Sequence, residues 1–309
     1  MEPRLLAKDE ANLGIGYFFA AAGAILFSIK AIIVKLAYEI DVDPETLLAL
    51  RLGLSLPFYL AVGFYSISGR RQKLAALPSL SLTLRAAAIG VLGMWVASYA
   101  DFLGLQYIGA QFERLILATY PFFVVLFGAL FFRQEVRRRG VIALAISYVG
   151  LALIFGENLS LEGRDIVLGA GLVFIAAIAF ALYQLFAKDA MAEMGPRLFT
   201  CIAMVGATLA GFAQFFIGHD LGDLVVSRMA FIYGLIIAVG ATVLPTFFLN
   251  AALHRIPAQD NATIAIMGPV ATIVLAAIIL GERMSAISIA GTVLVIAGIA
   301  WFSLSDRRG

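Results

Sequence analysis

The stretch Gly104-Leu105-Gln106-Tyr107-Ile108-Gly109-Ala110-Gln111 recurs as Ala252-Leu253-His254-Arg255-Ile256-Pro257-Ala258-Gln259. The offset is 148 residues, and it holds without a gap through Ile116 and Ile264, Pro121 and Pro269, and Gly150 and Gly298. Matches of Ala, Leu or Ile between two apolar runs arise by chance, whereas Gln, Pro and Gly at one constant offset do not. The acidic residue closing the long segment slips by one, Glu135 against Glu282. Upstream, Phe27 and Lys35 pair with Phe180 and Lys188 at an offset of 153. The chain is an internal duplication, and the composition of the copies says of what.

Of 309 residues, 62% are hydrophobic and 14% charged, against roughly 25% charged in soluble domains. A spanning helix needs about 20 mostly apolar residues, and ten such runs are expected near 13–37, 46–68, 84–106, 109–132, 140–156, 166–187, 198–217, 229–252, 259–280 and 285–304. They are continuous, unlike the roughly 10-residue alternating segments of an outer-membrane barrel. Asp9 and Glu10 ahead of the first run argue against a cleavable signal peptide. The single Cys201 excludes a disulfide framework, and His219 and His254 are too few for a zinc motif. Each copy holds five spans, an odd number, so the second is inserted upside down. The expected fold is an all-α integral membrane protein of ten transmembrane helices in two inverted five-helix repeats. Its segments are an N-terminal stretch 1–12, a first repeat 13–156, a linker 157–165, a second repeat 166–304 and a tail 305–309. Inverted repeats recur in secondary transporters, where rocking about a central site gives alternating access.

Orientation follows from the basic residues. With the N-terminus inside, fifteen Lys and Arg fall in inner segments, among them Arg70, Arg71, Lys73, Arg85, Arg133, Arg137, Arg138 and Arg139, against Arg164, Arg228 and Arg283 outside. The first outer loop carries Glu39, Asp41, Asp43 and Glu45 with no basic residue between them. The positive-inside bias puts both termini in the cytoplasm of a bacterial inner-membrane protein.

Ionisable residues within spans are costly and mark function by default. Five lie in the first copy: Lys30, Arg51, Asp101, Glu113 and Arg114. Counted from the span ends at about 1.5 Å per residue, they occupy an outer layer roughly 6–11 Å deep. Their counterparts are neutral: Tyr183 for Lys30, Leu249 for Asp101, Asn261 for Glu113 and Ala262 for Arg114. Three cations against two anions suit a zwitterion or a monoanion, its carboxylate on an arginine or on Lys30 and its amine on Asp101 or Glu113. The same residues also fit an outer gate of ion pairs, Lys30 with Asp101 and Arg51 or Arg114 with Glu113. Pro121 and Pro269, at matched depth, each remove a helix hydrogen bond and are candidate hinges.

The chain resembles the drug/metabolite transporter superfamily, in its EamA-type bacterial branch. The resemblance rests on Ala110-Gln111 through Tyr120-Pro121 to Phe132-Arg133-Gln134-Glu135 and Gly150, and on Ala258-Gln259 through Gly268-Pro269 to Leu280-Gly281-Glu282-Arg283, Gly291 and Gly298. The first half departs from the usual Gly-Glu ending with Arg133-Gln134-Glu135. The resemblance implies that the first, third, fourth, sixth, eighth and ninth helices surround a central cavity. On those helices Trp95, Tyr99, Tyr120, Tyr183, Gln184, Phe247 and Asn250 then join the charged residues as candidate lining. Arg51, on the peripheral second helix, is the weaker candidate, free to extend outward. The implied function is secondary export of small polar metabolites, amino acids or related zwitterions. The alternatives are import or exchange of a larger charged metabolite such as a nucleotide-like compound, or a lipid flippase. No Gly-Lys-Ser/Thr nucleotide loop, His-Glu-x-x-His or Gly-x-Ser-x-Gly motif occurs, so no cofactor, metal or enzymatic activity is expected. The expected partners are a small-molecule substrate, a coupling proton on Asp101 or Glu113, and the lipid bilayer. No nucleic acid is expected, and no oligomeric state follows.

Overall fold

The computed structural model describes residues 2–72, 77–132, 138–162, 165–253, 255–256, 264 and 267–305. Every regular element among them is helical. α1 is Glu2–Tyr38, α2 Pro44–Gln72 and α3 residues 80–104; α4 comprises Ala110–Leu117 and Tyr120–Phe132. The second half follows α5 (Arg138–Glu162) with α6 (Asp165–Met194), α7 (Pro196–Gly218), α8 (residues 228–253), α9 (Met267–Leu280) and α10 (Ala286–Ser305). Among the described residues seven helices are long and apolar enough to cross a membrane, and the apolar stretches Ala145–Glu157, Met267–Leu280 and Ala286–Trp301 are shorter. The fifth, ninth and tenth expected spans are those three. The beginning of the ninth, near 259, lies outside the described residues, as do Arg133, Gln134, Glu135, Pro257, Ala258, Gln259, Asn261 and Ala262.

Local chemistry sets the helix ends. Asp43 accepts from the Thr46 N–H at 2.8 Å, with Pro44 in the first turn, whose missing N–H would have gone unbonded there anyway. Ser79 and Ser227 accept from Leu82 and Ala230 in the same way, both at 3.2 Å. Between α6 and α7 the chain reverses at Gly195, where φ is +81°, a conformation that favours glycine. α4 breaks at Ala118–Thr119. Pro121 explains the position, because its missing N–H is the one that would bond the Leu117 carbonyl.

The duplication is written into the packing. α1 packs on α8 and α9, as α6 packs on α3 and α4; α2 packs on α8, as α7 packs on α3. The pairs α2–α7, α4–α9 and α5–α10 map onto themselves. This is the pattern of a two-fold axis exchanging each helix with the one five places on. It shows most directly where Ser147 of α5 donates to the carbonyl of Val295 of α10, at 3.2 Å, since these residues correspond at the 148 offset. Beside them a Cβ on Gly150 would lie 2.4 Å from the Gly291 carbonyl oxygen, and one on Gly291 2.6 Å from that of Gly150. Only glycines let these backbones approach so closely. α3 and α8 each contain a π-helical segment, Val91–Val96 and Ile236–Val243. Shifting 91–96 by 148 gives 239–244, which overlaps the second.

Six helices follow one another in contact order α8–α1–α9–α4–α6–α3, with α2 and α7 completing the arc between α3 and α8. They are the six named by the sequence resemblance. The ring buries a polar interior, with Ser28, Lys30, Asp101, Glu113 and Thr272 all nearly inaccessible, while Phe64, Leu130, Phe131 and Ile278 are exposed on the outside. Polar groups inward and apolar ones outward is the arrangement lipid demands.

Candidate functional site

Lys30 of α1 lies where α3 and α4 meet it. Its ammonium donates to Asp101 Oδ2 and stands 3.7 Å from Glu113 Oε1. The three residues are 7%, 1% and 0% exposed. Glu113 also lies within hydrogen-bonding reach of Asp101, and Arg114 and Arg51 complete the local field. The expected Lys30–Asp101 pair is present. Glu113, however, takes Lys30 as its ionic partner, and neither Arg51 nor Arg114 forms an ion pair with it among the described residues.

The trio is unbalanced: one ammonium faces two carboxyl groups. Among the described residues no donor reaches Asp101 Oδ1 or either Glu113 oxygen, so the two neighbouring carboxyl groups satisfy each other only by sharing a proton. In a low-dielectric interior such orphan acceptors are expensive. The arrangement has room in its chemistry for one more donor, whether a proton or an ammonium group.

Arg51 does not extend outward. It is 5% exposed, donates from Nε to Thr242 Oγ1 at 3.0 Å, and lies 5.8 Å from the centre of the Phe102 ring. The π-helical turn in α8 makes this possible: the Thr242 hydroxyl donates to the Ile237 carbonyl five residues back, leaving its lone pairs to accept from Arg51. Nη1 of Arg51 has no hydrogen-bond partner among the described residues. From sequence it is the weaker candidate, because a lone arginine on a peripheral helix ordinarily reaches for the interface. Its charge within the span was the available signal.

The aromatic candidates divide into two groups. Trp95 and Tyr99 stack at 6.3 Å, Tyr99 donates to Glu45 at 2.7 Å, and Trp95 packs over Gly211 of α7. They face α2 and α7 rather than the charged trio, because the six positions from Trp95 to Asp101 turn the helix by about 600°, leaving the two roughly 120° apart. Tyr120, Phe180, Tyr183 and Phe199 form a continuous aromatic ladder, with centroids 5.1, 5.8 and 6.1 Å apart, linking α4, α6 and α7. Tyr183 is packed under Gly93, where a Cβ would lie 2.2 Å from its ring. Gln184 is half-buried, and Phe247 packs on the core formed by α1 and α2. Pro269 is buried in α9, whereas the side chains of Asn250 and Pro121 lie outside the described residues.

A cavity of about 850 Å³ opens at the end of the bundle beyond Lys30, lined by Lys35, Tyr38, Glu39, Asp43, Gln106 and Glu282 among others. None of the five interior charged residues lines it. Between it and the trio, Lys35 donates to the Leu105 carbonyl at 3.0 Å and Tyr38 to that of Phe102 at 2.7 Å, capping the end of α3. At its rim Glu282, from the second half, accepts from the Ala110 and Gln111 N–H groups at 2.7 and 3.2 Å, and Gln111 Nε2 donates back to the Glu282 carbonyl at 3.2 Å. A carboxylate from one repeat thus caps a helix of the other. Gly109 leaves space for it, since a Cβ there would sit 3.1 Å from Glu282 Oε1. Sequence reading took Glu282 only as a family motif.

Residues 14–156 and 167–304 each match the EamA-like transporter family. Over 307 residues, 95% of either chain, the protein is 27% identical to an uncharacterized transporter of Bacillus subtilis, YcbK. It is 27% identical over 200 residues to a "Probable amino-acid metabolite efflux pump" of Salmonella typhimurium, covering 62% of this chain and 66% of that one. A protein of the same name in Escherichia coli is 25% identical over an equal length. One solved crystal structure, at 16% identity, aligns over 95% of this chain and 98% of the other with a TM-score of 0.64, a likeness of fold. With its apolar helices and this match over nearly its whole length, the chain belongs to the EamA-like transporter family and is a multi-pass membrane transporter.

Proposed function

We propose that the protein is a secondary exporter of small zwitterionic metabolites, amino acids foremost, working by alternating access. The observation that carries this reading is the buried Lys30–Asp101–Glu113 trio, with two carboxyl groups for one ammonium and three carboxyl oxygens that accept no hydrogen bond among the described residues. A solute amine meets that excess of acceptors, and a solute carboxylate meets Arg114. The names of the efflux-pump relatives favour amino-acid metabolites as solutes.

The two repeats of this proposal are 13–156 and 166–304, with both termini cytoplasmic. On that orientation the 850 Å³ cavity is an outer vestibule, and the Glu282 cap on α4 joins the two units at its rim. Solute and proton compete for the same surplus acceptors, so proton entry from outside returns the transporter after release. Pro121 and Pro269 supply bending points in α4 and α9. Trp95 and Tyr99 are not proposed as binding groups, and Tyr120, Tyr183, Gln184, Phe247 and Asn250 are proposed as neutral walls.

The test is a growth-toxicity screen with amino acids and their analogues. Resistance on expression that disappears in Asp101→Asn and Arg114→Ala, at unchanged protein level, supports export through this site. Parent-like resistance in both variants refutes it. Proton coupling is tested separately: in proteoliposomes, efflux should speed up when a pH gradient drives protons inward, and equal rates with and without the gradient rule it out.

A further inference from the structure

Arg114 forms no ion pair among the described residues, and its Nε is buried without a hydrogen-bond partner. The end of its side chain lies against Gly268 of α9. A Cβ on Gly268 would stand 2.5 Å from Arg114 Nη2, 3.6 Å from Cζ and 3.4 Å from Ser28 Oγ. The surroundings are fixed: the single Ser28 hydroxyl proton is shared between the carbonyls of Ala24 at 2.7 Å and Gly268 at 2.9 Å, and Thr272 Oγ1 donates to the Ser28 carbonyl at 3.2 Å. α1 and α9 are therefore tied together at the level of the guanidinium.

Glycine is a poor helix former, and the helical backbone at 268 has no positive φ that would call for it. What Gly268 supplies is space, and Arg114 occupies that space. The duplication supports the pairing. Position 268 corresponds to Tyr120, and position 114 to Ala262. The missing side chain and the added cation thus occur together in this corner of the molecule, and their counterparts in the other copy have neither.

We propose that Gly268 is a specificity-determining positioning residue: by withholding a side chain it seats the Arg114 guanidinium to receive a solute carboxylate, which restricts transport to carboxylate-bearing solutes. This rests on the reading that the interior charges bind the solute. The atom a Cβ would meet first is the far end of a flexible side chain, so Gly268→Ala displaces the guanidinium without breaking the helix contact.

The test uses the purified full-length protein in proteoliposomes loaded with an equimolar mixture of radiolabelled standard L-amino acids. Competitors are the same amino acids, unlabelled, or their carboxamides, which keep the amine and lose the carboxylate. In the parent the amino acids compete and the carboxamides do not. Arg114→Ala reduces that discrimination about tenfold or more, the loss of a charge-assisted hydrogen bond. Gly268→Ala is expected to match it, to add nothing in the Arg114→Ala background, and to be rescued by Arg114→Lys, whose unbranched ammonium clears a methyl group. Discrimination intact in Gly268→Ala but lost in Arg114→Ala overturns the role of Gly268 and leaves the transport reading standing. Discrimination intact in both removes Arg114 from the site. If Gly268→Ala fails to fold even beside Arg114→Ala, the glycine serves packing and the proposal falls.

Discussion

Within the trio, Lys30 is the only cation that reaches both Asp101 and Glu113. Removing one partner of a buried pair leaves an uncompensated charge, at a cost of about 3–5 kcal/mol, whereas replacing both by neutral groups is often harmless. Lys30→Met should therefore lower the thermal unfolding temperature of the detergent-solubilised protein sharply. Lys30→Met with Asp101→Asn should recover part of the loss while remaining inactive. Equal stability in the single and double variants would show that the charges are not coupled. The presence of these residues in the spans was plain from the sequence; their partners were not. A helix that is apolar nearly all round carries little signal of which way it faces. For that reason sequence alone does not show that Trp95 and Tyr99 turn toward α7 and α2, or that Arg51, the weaker candidate, turns inward.

Among the elements, α4 draws its N-terminal cap from a residue outside itself. Its N-terminus has no side-chain cap of its own, and Glu282 supplies one across the repeat boundary. Glu282→Ala should cost about 0.5–2 kcal/mol of stability, in the range of a lost N-cap, and should speed hydrogen exchange at Ala110 and Gln111 first. Unchanged exchange there would mean that the cap contributes nothing. The break ahead of Pro121 makes a second prediction. Pro121→Ala restores an N–H for the Leu117 carbonyl, so α4 should become continuous and transport should slow several-fold at unchanged protein level; parent-like transport would remove the hinge. The sequence pointed to this break through the proline, a local cause. It gave no hint of the cap, because Glu282 and Ala110 are 172 residues apart and no periodicity links them.

At the scale of the whole molecule, duplication was the most readable feature: one constant offset, two copies of five spans, and hence inversion. Among the described residues, helix pairings recur between the halves and the two π-helical segments overlap at the 148 offset. Orientation comes from charge placement and is checked by labelling. In a background with Cys201 replaced, a cysteine at Asp41 should react with a membrane-impermeant maleimide in intact cells, and one at Leu77 only after lysis; the reverse pattern would invert the protein. In the proposed cycle solute crosses by way of the Lys30–Asp101–Glu113 trio. Counterflow of labelled amino acids into proteoliposomes containing the parent or Asp101→Asn, at matched incorporation, puts this to the test. Accumulation is expected with the parent, and a rate lower by about tenfold or more with the variant. Equal accumulation by the two would show that solute does not pass by way of the trio.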